Sequence, residues 1–132
     1  PEKVEAVAHA VAAHRFRSGP SPLTLEAQVW HDAEQLDAIG ASGVARAFAF
    51  GGAEGQRLWG DGPPDYRVSA GTRHQESQTT RHEHTPVHEF QIKLSKIKDR
   101  LLTPSARKLA AERHTFMVAY FEQLDREVRG LA

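Results

Sequence analysis

From Glu2 to His14 the apolar residues Val4, Val7, Ala8 and Val11 recur at three- and four-residue spacing, which predicts a short amphipathic helix with those side chains on one face. Ser18, Gly19, Pro20, Ser21 and Pro22 then break any regular element. Thr24 is placed as an N-cap, Glu26 suits the first turn behind it, and a second helix is expected from Leu25. At about 100° per residue, Leu25, Val29, Ala33 and Leu36 form its apolar stripe and Asp32 lies at the stripe's edge. Asp32 is thus the inward acid, and Glu34 falls on the opposite side. Gly40 ends or bends this helix, and Val44, Ala45, Phe48 and Ala49 resume a helical period that Gly51 and Gly52 stop.

Residues 51–88 carry Gly, Pro, Ser, Thr, His and charge with no sustained period, so a long irregular loop is expected there. Phe90, Leu94, Ile97 and Leu101 mark the next helix, with Lys93, Lys96, Lys98 and Arg100 on its other faces. Thr103-Pro104 reads as the cap and first position of a last helix that runs to Arg129, before Gly130. Its inner side is expected to hold Leu109, Arg113, Phe116, Met117, Tyr120, Leu124 and Val128. No stretch alternates with period two for long enough to be a strand. The class is all-α: one domain over 1–132, a bundle of about five helices with the one long loop.

Composition adds little that contradicts this. The 132 residues suffice for one core, burying about two-thirds of the surface of the unfolded chain. Seventeen basic residues balance seventeen acidic ones, so global charge points to neither nucleic acid nor membrane as partner. There is no cysteine, which excludes thiol nucleophiles and disulfides, and no apolar run long enough to span a bilayer. A cytoplasmic protein is expected.

Chemistry concentrates in a few places. Asp32, Glu34 and Asp37 on one helix suit divalent-cation ligation, an acid and base pair, or plain helix surface, and spacing alone does not choose. Asp32 is equally suited to be a core acid held by Arg46 or Arg113. His14, followed by Arg15, sits at a helix C-terminus, where a cation is favoured by the helix dipole. His82, His84 and His88 form a cluster that reads as a transition-metal site or as a polar lid. The segment KLSKIKDR at 93–100 gathers cations suited to phosphate, or to a solvated face.

The run VWHDAEQLDAIGASGVARAFAFGG resembles the signature DADRLDAIGAIGIARxF of a bacterial branch of the HD-domain metal-dependent phosphohydrolases. KLSKIKDRLLTPSARKLAAERHTFMVAYFEQLDREV is similar to that branch's C-terminal helices, and VEAVAHAVAAHRFRSG resembles its VEHVxxAIxxHSFS segment. The resemblance implies an all-helical HD-like domain, of which this chain is the C-terminal portion. It implies hydrolysis of nucleotide phosphate or pyrophosphate bonds with a divalent metal, Mn, Co, Mg, Fe or Zn, held by an H…HD…D set. On it the last metal Asp falls on Glu34, with Asp32 as the alternative, and Asp32 and Asp37 are the catalytic carboxylates. His14, Arg46, Lys93, Lys96, Lys98 and Arg113 are then the phosphate-binding side chains. The implied partner is a phosphorylated small molecule, a nucleotide, with a second chain or copy covering helices that the family carries upstream. Two departures stand out: no His-Asp pair precedes His14, and the terminal Asp is a glutamate one methylene longer.

Overall fold

The computed structural model describes residues 2–15, 18–61 and 84–131. Its elements are α1 (Glu2–Ala13), α2 (Leu25–Asp37), α3 (Gly40–Ala53), α4 (Pro86–Ile92), a 3-10 helix η1 (Leu94–Arg100) and α5 (Pro104–Val128). No strand occurs among the described residues.

Threonine starts three of these helices. Thr24, Thr85 and Thr103 each accept a hydrogen bond on Oγ1 from the amide three positions on, Ala27, His88 and Ala106 respectively. Pro86 and Pro104 follow two of those caps at the first helical position, where a missing N–H costs nothing. The caps at Thr24 and Thr103 are those expected from the sequence.

The core is built on α5, about 37 Å long at 1.5 Å per residue. α2, α3 and η1 pack directly on it, α4 lies against α3 and η1, and α1 is carried by α2. Ile39, Val44, Val87, Leu94, Ile97, Leu101, Ala106, Ala110, Met117 and Phe121 form one buried cluster. Around Phe121 the rings of Phe90 on α4 (4.4 Å between centroids) and Phe48 on α3 (6.2 Å) close the α3–α4–α5 contact. Each large apolar side chain so buried contributes roughly 1.5–3 kcal/mol.

The inner faces of three helices differ from those expected. Val4, Val7 and Val11 are exposed, while Ala10 and Ala13 face inward, because small side chains let α1 approach α2 closely. On α2, Leu25 and Val29 are exposed as well, and Ala27, Asp32 and Gln35 are the buried positions. On α5, Leu109, Phe116 and Val128 are exposed and Phe121 is buried, so the inner face is rotated from the one expected.

The segment around 90–101 is not one helix. It is α4 followed by a 3-10 turn, which keeps Leu94 and Ile97 aligned inward at three-residue spacing. The expected loop is shorter at both ends, since α3 reaches Ala53 and α4 begins at Pro86; residues 62–83 lie outside the described residues. The chain leaving α3 is tied to the end of α5. Trp59 Nε1 donates to Asp125 (3.1 Å), and Arg129 bridges Asp125 and Asp61 while lying over the Trp59 ring.

Candidate active site

The acid-rich helix α2 is held over its C-terminal half by α5 and the segment of chain leading into it. Asp32 is almost fully buried and serves as the anchor. Its Oδ2 accepts from the Thr103 amide at 2.7 Å and the Thr103 hydroxyl at 2.8 Å. The Leu102 amide reaches both oxygens, at 3.0 and 3.1 Å, and His31 Nδ1 lies 3.1 Å from Oδ1. Burial would raise this carboxyl's pKa. The Thr103 and Leu102 amides, the Thr103 hydroxyl and His31 together outweigh it, so the group titrates below the ordinary aspartate value.

Asp32 is thus inward as expected, though not beside the apolar stripe expected with it, and its expected partner is wrong. Neither arginine reaches it. Arg113 donates instead to the Leu36 carbonyl at the C-terminus of α2. The aliphatic part of Arg113 lies over Gly40, whose φ of +79° turns the chain from α2 into α3. A Cβ at Gly40 would stand 2.9 Å from Arg113 Cγ, so glycine is required by both conformation and space.

Arg46 pairs with Asp37 at 2.7 Å, both side chains well exposed. Glu34 is exposed on the side of α2 away from Asp32. Thus the three acids of α2 do not converge: one is internal, one is open, and one is paired on the surface.

The cations separate too. Lys93 sits between α4 and η1 and pairs with Glu89 at 3.4 Å, while Lys96 and Lys98 are exposed on η1. Partial burial, with Lys98 nearby, holds the His114 pKa below the usual histidine value against the opposing effect of Asp99.

His84 Nε2 lies 3.3 Å from Glu89 Oε2, and its ring is 5.9 Å from that of buried His88. Burial pushes Glu89 up, but His84 and Lys93 together bring it below the usual glutamate value. His82 lies outside the described residues. His14 stands at the end of α1, its Nδ1 on the Val11 carbonyl and its ring 6.0 Å from that of Trp30.

Among the described residues no group of three His, Asp or Glu side chains is placed to hold a metal ion. The oxygens of Asp32 are engaged by backbone, hydroxyl and imidazole. Glu34 alone does not meet the ligand count of a divalent cation, so the described residues do not by themselves fit the metal of the resemblance.

No protein-family model matches this chain. It is 35% identical to YpgQ of Bacillus subtilis, a match over 98% of this chain and 55% of YpgQ. The structure of YpgQ in complex with ADP superposes with a TM-score of 0.71. A protein of Lactobacillus plantarum is similar at 30% identity and a TM-score of 0.75, covering 98% of this chain and 60% of the other. An HD-superfamily hydrolase of Bacillus thuringiensis is similar at 29% identity and a TM-score of 0.67, covering 97% and 54%. The chain thus spans little more than half the length of these relatives. No helix among the described residues is long and apolar enough to cross a membrane. Over nearly its whole length the chain has the HD-like, all-helical fold of these proteins.

Proposed function

We propose that this chain works as part of an HD-type, metal-dependent phosphohydrolase that cleaves phosphate or pyrophosphate bonds of nucleotides. The observation that carries the reading is the 35% identity over 98% of the chain to YpgQ, a protein whose structure is known with ADP bound. The similar fold of a protein described as an HD-superfamily hydrolase supports the same reaction class.

In this reading Glu34, open on α2, is the one carboxylate the chain contributes toward a metal. Asp32 is a positioning residue that sets the pitch of α2 against α5, and Asp37 stands on the exposed side with Arg46. His14, Lys96 and Lys98 are accessible to phosphate. Arg46 and Lys93 would first have to leave a carboxylate, and Arg113 is committed to the end of α2. The reading is tested by phosphate or pyrophosphate release from a nucleotide panel with manganese, cobalt or magnesium, using the natural polypeptide. No turnover of any nucleotide would end it.

A second reading, a binding or assembly module without catalysis, is favoured by the apolar side chains on α1 and α2, where Val4, Val7 and Leu25 are 72, 60 and 67% exposed. It predicts a self-associated or complexed species that persists in chelator. A monomer at micromolar concentration, measured by light scattering, would exclude it.

A further inference from the structure

We propose that Trp30 and His14 form the stacking platform for the base of the nucleotide, an inference that rests on the phosphohydrolase reading and places the substrate on α2. Trp30 is 40% exposed and stands outside the core cluster, although an indole is the largest apolar body the chain has to bury. Its ring faces that of His14 at 6.0 Å with 27° between the planes, in the range of aromatic pairing.

The His14 ring is set in advance: its Nδ1 lies against the Val11 carbonyl, which only accepts, so Nδ1 is the donor of that bond. The chain from Ser18 to Thr24 is tied down nearby: the Leu23 amide donates to His9 Nε2 at 3.0 Å, and Gln28 Nε2 donates to the Pro22 carbonyl at 3.4 Å. A flat aromatic surface fixed before binding loses little freedom when a base lies on it. Every base has a π-face for it, and Arg15, exposed beside His14, adds a cation to the same end of α1.

Helical geometry connects the platform to the reaction. Glu34 is four residues beyond Trp30 and Asp37 seven, so all three share one face of α2, opposite the face that buries Asp32. Glu34 lies about 6 Å along the axis from Trp30 and Asp37 about 10 Å. That span is of the order separating a base from the phosphates of an extended nucleotide. A base on Trp30 would therefore set its phosphates one to two turns along α2, at the level of the Asp37–Arg46 pair, where the Arg46 guanidinium and not the carboxylates is the group able to attract them.

The experiment is an ADP titration of the natural polypeptide carrying Trp59→Phe, which leaves Trp30 as the only indole of this chain. Trp30 fluorescence is expected to be quenched on saturation. Trp30→Ala is expected to weaken ADP binding roughly tenfold and Trp30→Phe to restore most of it. Inorganic pyrophosphate, which has no base, should bind the Trp30→Ala variant and its parent alike. ADP bound with no change at Trp30, and equally by Trp30→Ala, would overturn the platform while leaving the phosphohydrolase reading in place. A parent that binds neither ADP nor pyrophosphate would overturn both.

Discussion

Thr103 gives both its amide and its hydroxyl proton to one oxygen of Asp32, at 2.7 and 2.8 Å, across 71 positions of sequence. The same hydroxyl oxygen accepts from the Ala106 amide at 3.4 Å. The carboxylate thereby orients the threonine that caps α5. One turn further along α2, Arg113 of α5 covers the Leu36 carbonyl. Each helix supplies the side chain that satisfies backbone near the other's end, and together these two contacts fix the angle at which the exposed face of α2 is presented.

Replacing Asp32 by Asn should be costly. The amide oxygen could take the Oδ2 position and keep the Thr103 bonds, but the amide nitrogen at the Oδ1 position would face the Leu102 N–H and His31 Nδ1, and the charge that strengthens every one of these bonds would be lost. The expected loss is about 2–4 kcal/mol, read by urea unfolding with unchanged slope. A loss within experimental error would show that the anchor is dispensable.

Asp32 should also shape the acid limb of stability. Its folded pKa lies below the unfolded value, held there by the Thr103 and Leu102 amides and their neighbours against the opposing effect of burial. The folded state then binds fewer protons than the unfolded state in acid. Its stabilisation is complete above the unfolded value and is lost as pH falls through the folded one. Glu89, lowered by His84 and Lys93, acts with the same sign. Unfolding free energy should fall steeply below about pH 4, and Asp32→Asn should flatten that slope.

Gly40 and Arg113 should be coupled. Gly40→Ala forces a side chain into positive φ and against Arg113, at an expected cost of about 1–3 kcal/mol. Arg113→Ala removes the Cγ and Cδ that the new methyl would strike. The double variant should therefore lose less than the sum of the single ones, by about 0.5 kcal/mol or more in a double-mutant cycle. Strict additivity would count against the contact.

Asp37 and Arg46 provide a contrast. Their pair is exposed at 69 and 61%, so Asp37→Ala and Arg46→Ala should each change stability by less than about 1 kcal/mol. A large drop in nucleotide turnover in either variant, with the fold intact by circular dichroism, would assign the side chain a role in the reaction.

Much of the fold was legible because its signals are local. Thr24, Thr103 and Pro104 announce helix starts through their own backbone chemistry, and Gly40 marks a turn that only glycine takes easily. The faces of α1 and α5 were harder to read. A period identifies a stripe of apolar residues but not which neighbour it meets, and on α1 the alanines, not the valines, meet α2. The 3-10 turn at Leu94–Arg100 was hidden because Leu94 and Ile97 suit either helix type over so short a run.

The site divides in the same way. Asp32 is inward as expected, although the stripe on whose edge it was set is not the buried face: Leu25, Val29 and Ala33 are exposed and Gln35 is buried beside it. Its partners were not legible, since backbone amides at 102 and 103 carry no signature in side-chain identity. The resemblance directed attention to Glu34, which the wheel set on the far side, and Glu34 is exposed. Trp30, on that same face, carried no motif and becomes noticeable only once its exposure and its neighbour His14 are known.

The measurement that bears most directly on the function is metal-dependent release of phosphate or pyrophosphate from nucleotides by the natural polypeptide and its Glu34→Gln variant. Turnover that chelator abolishes is expected, with a loss of about a hundredfold on removing that carboxylate's charge and stability unchanged within about 0.5 kcal/mol because Glu34 is exposed. Equal turnover by both proteins would remove Glu34 from the site, and no turnover of any nucleotide by the parent would contradict the phosphohydrolase reading itself.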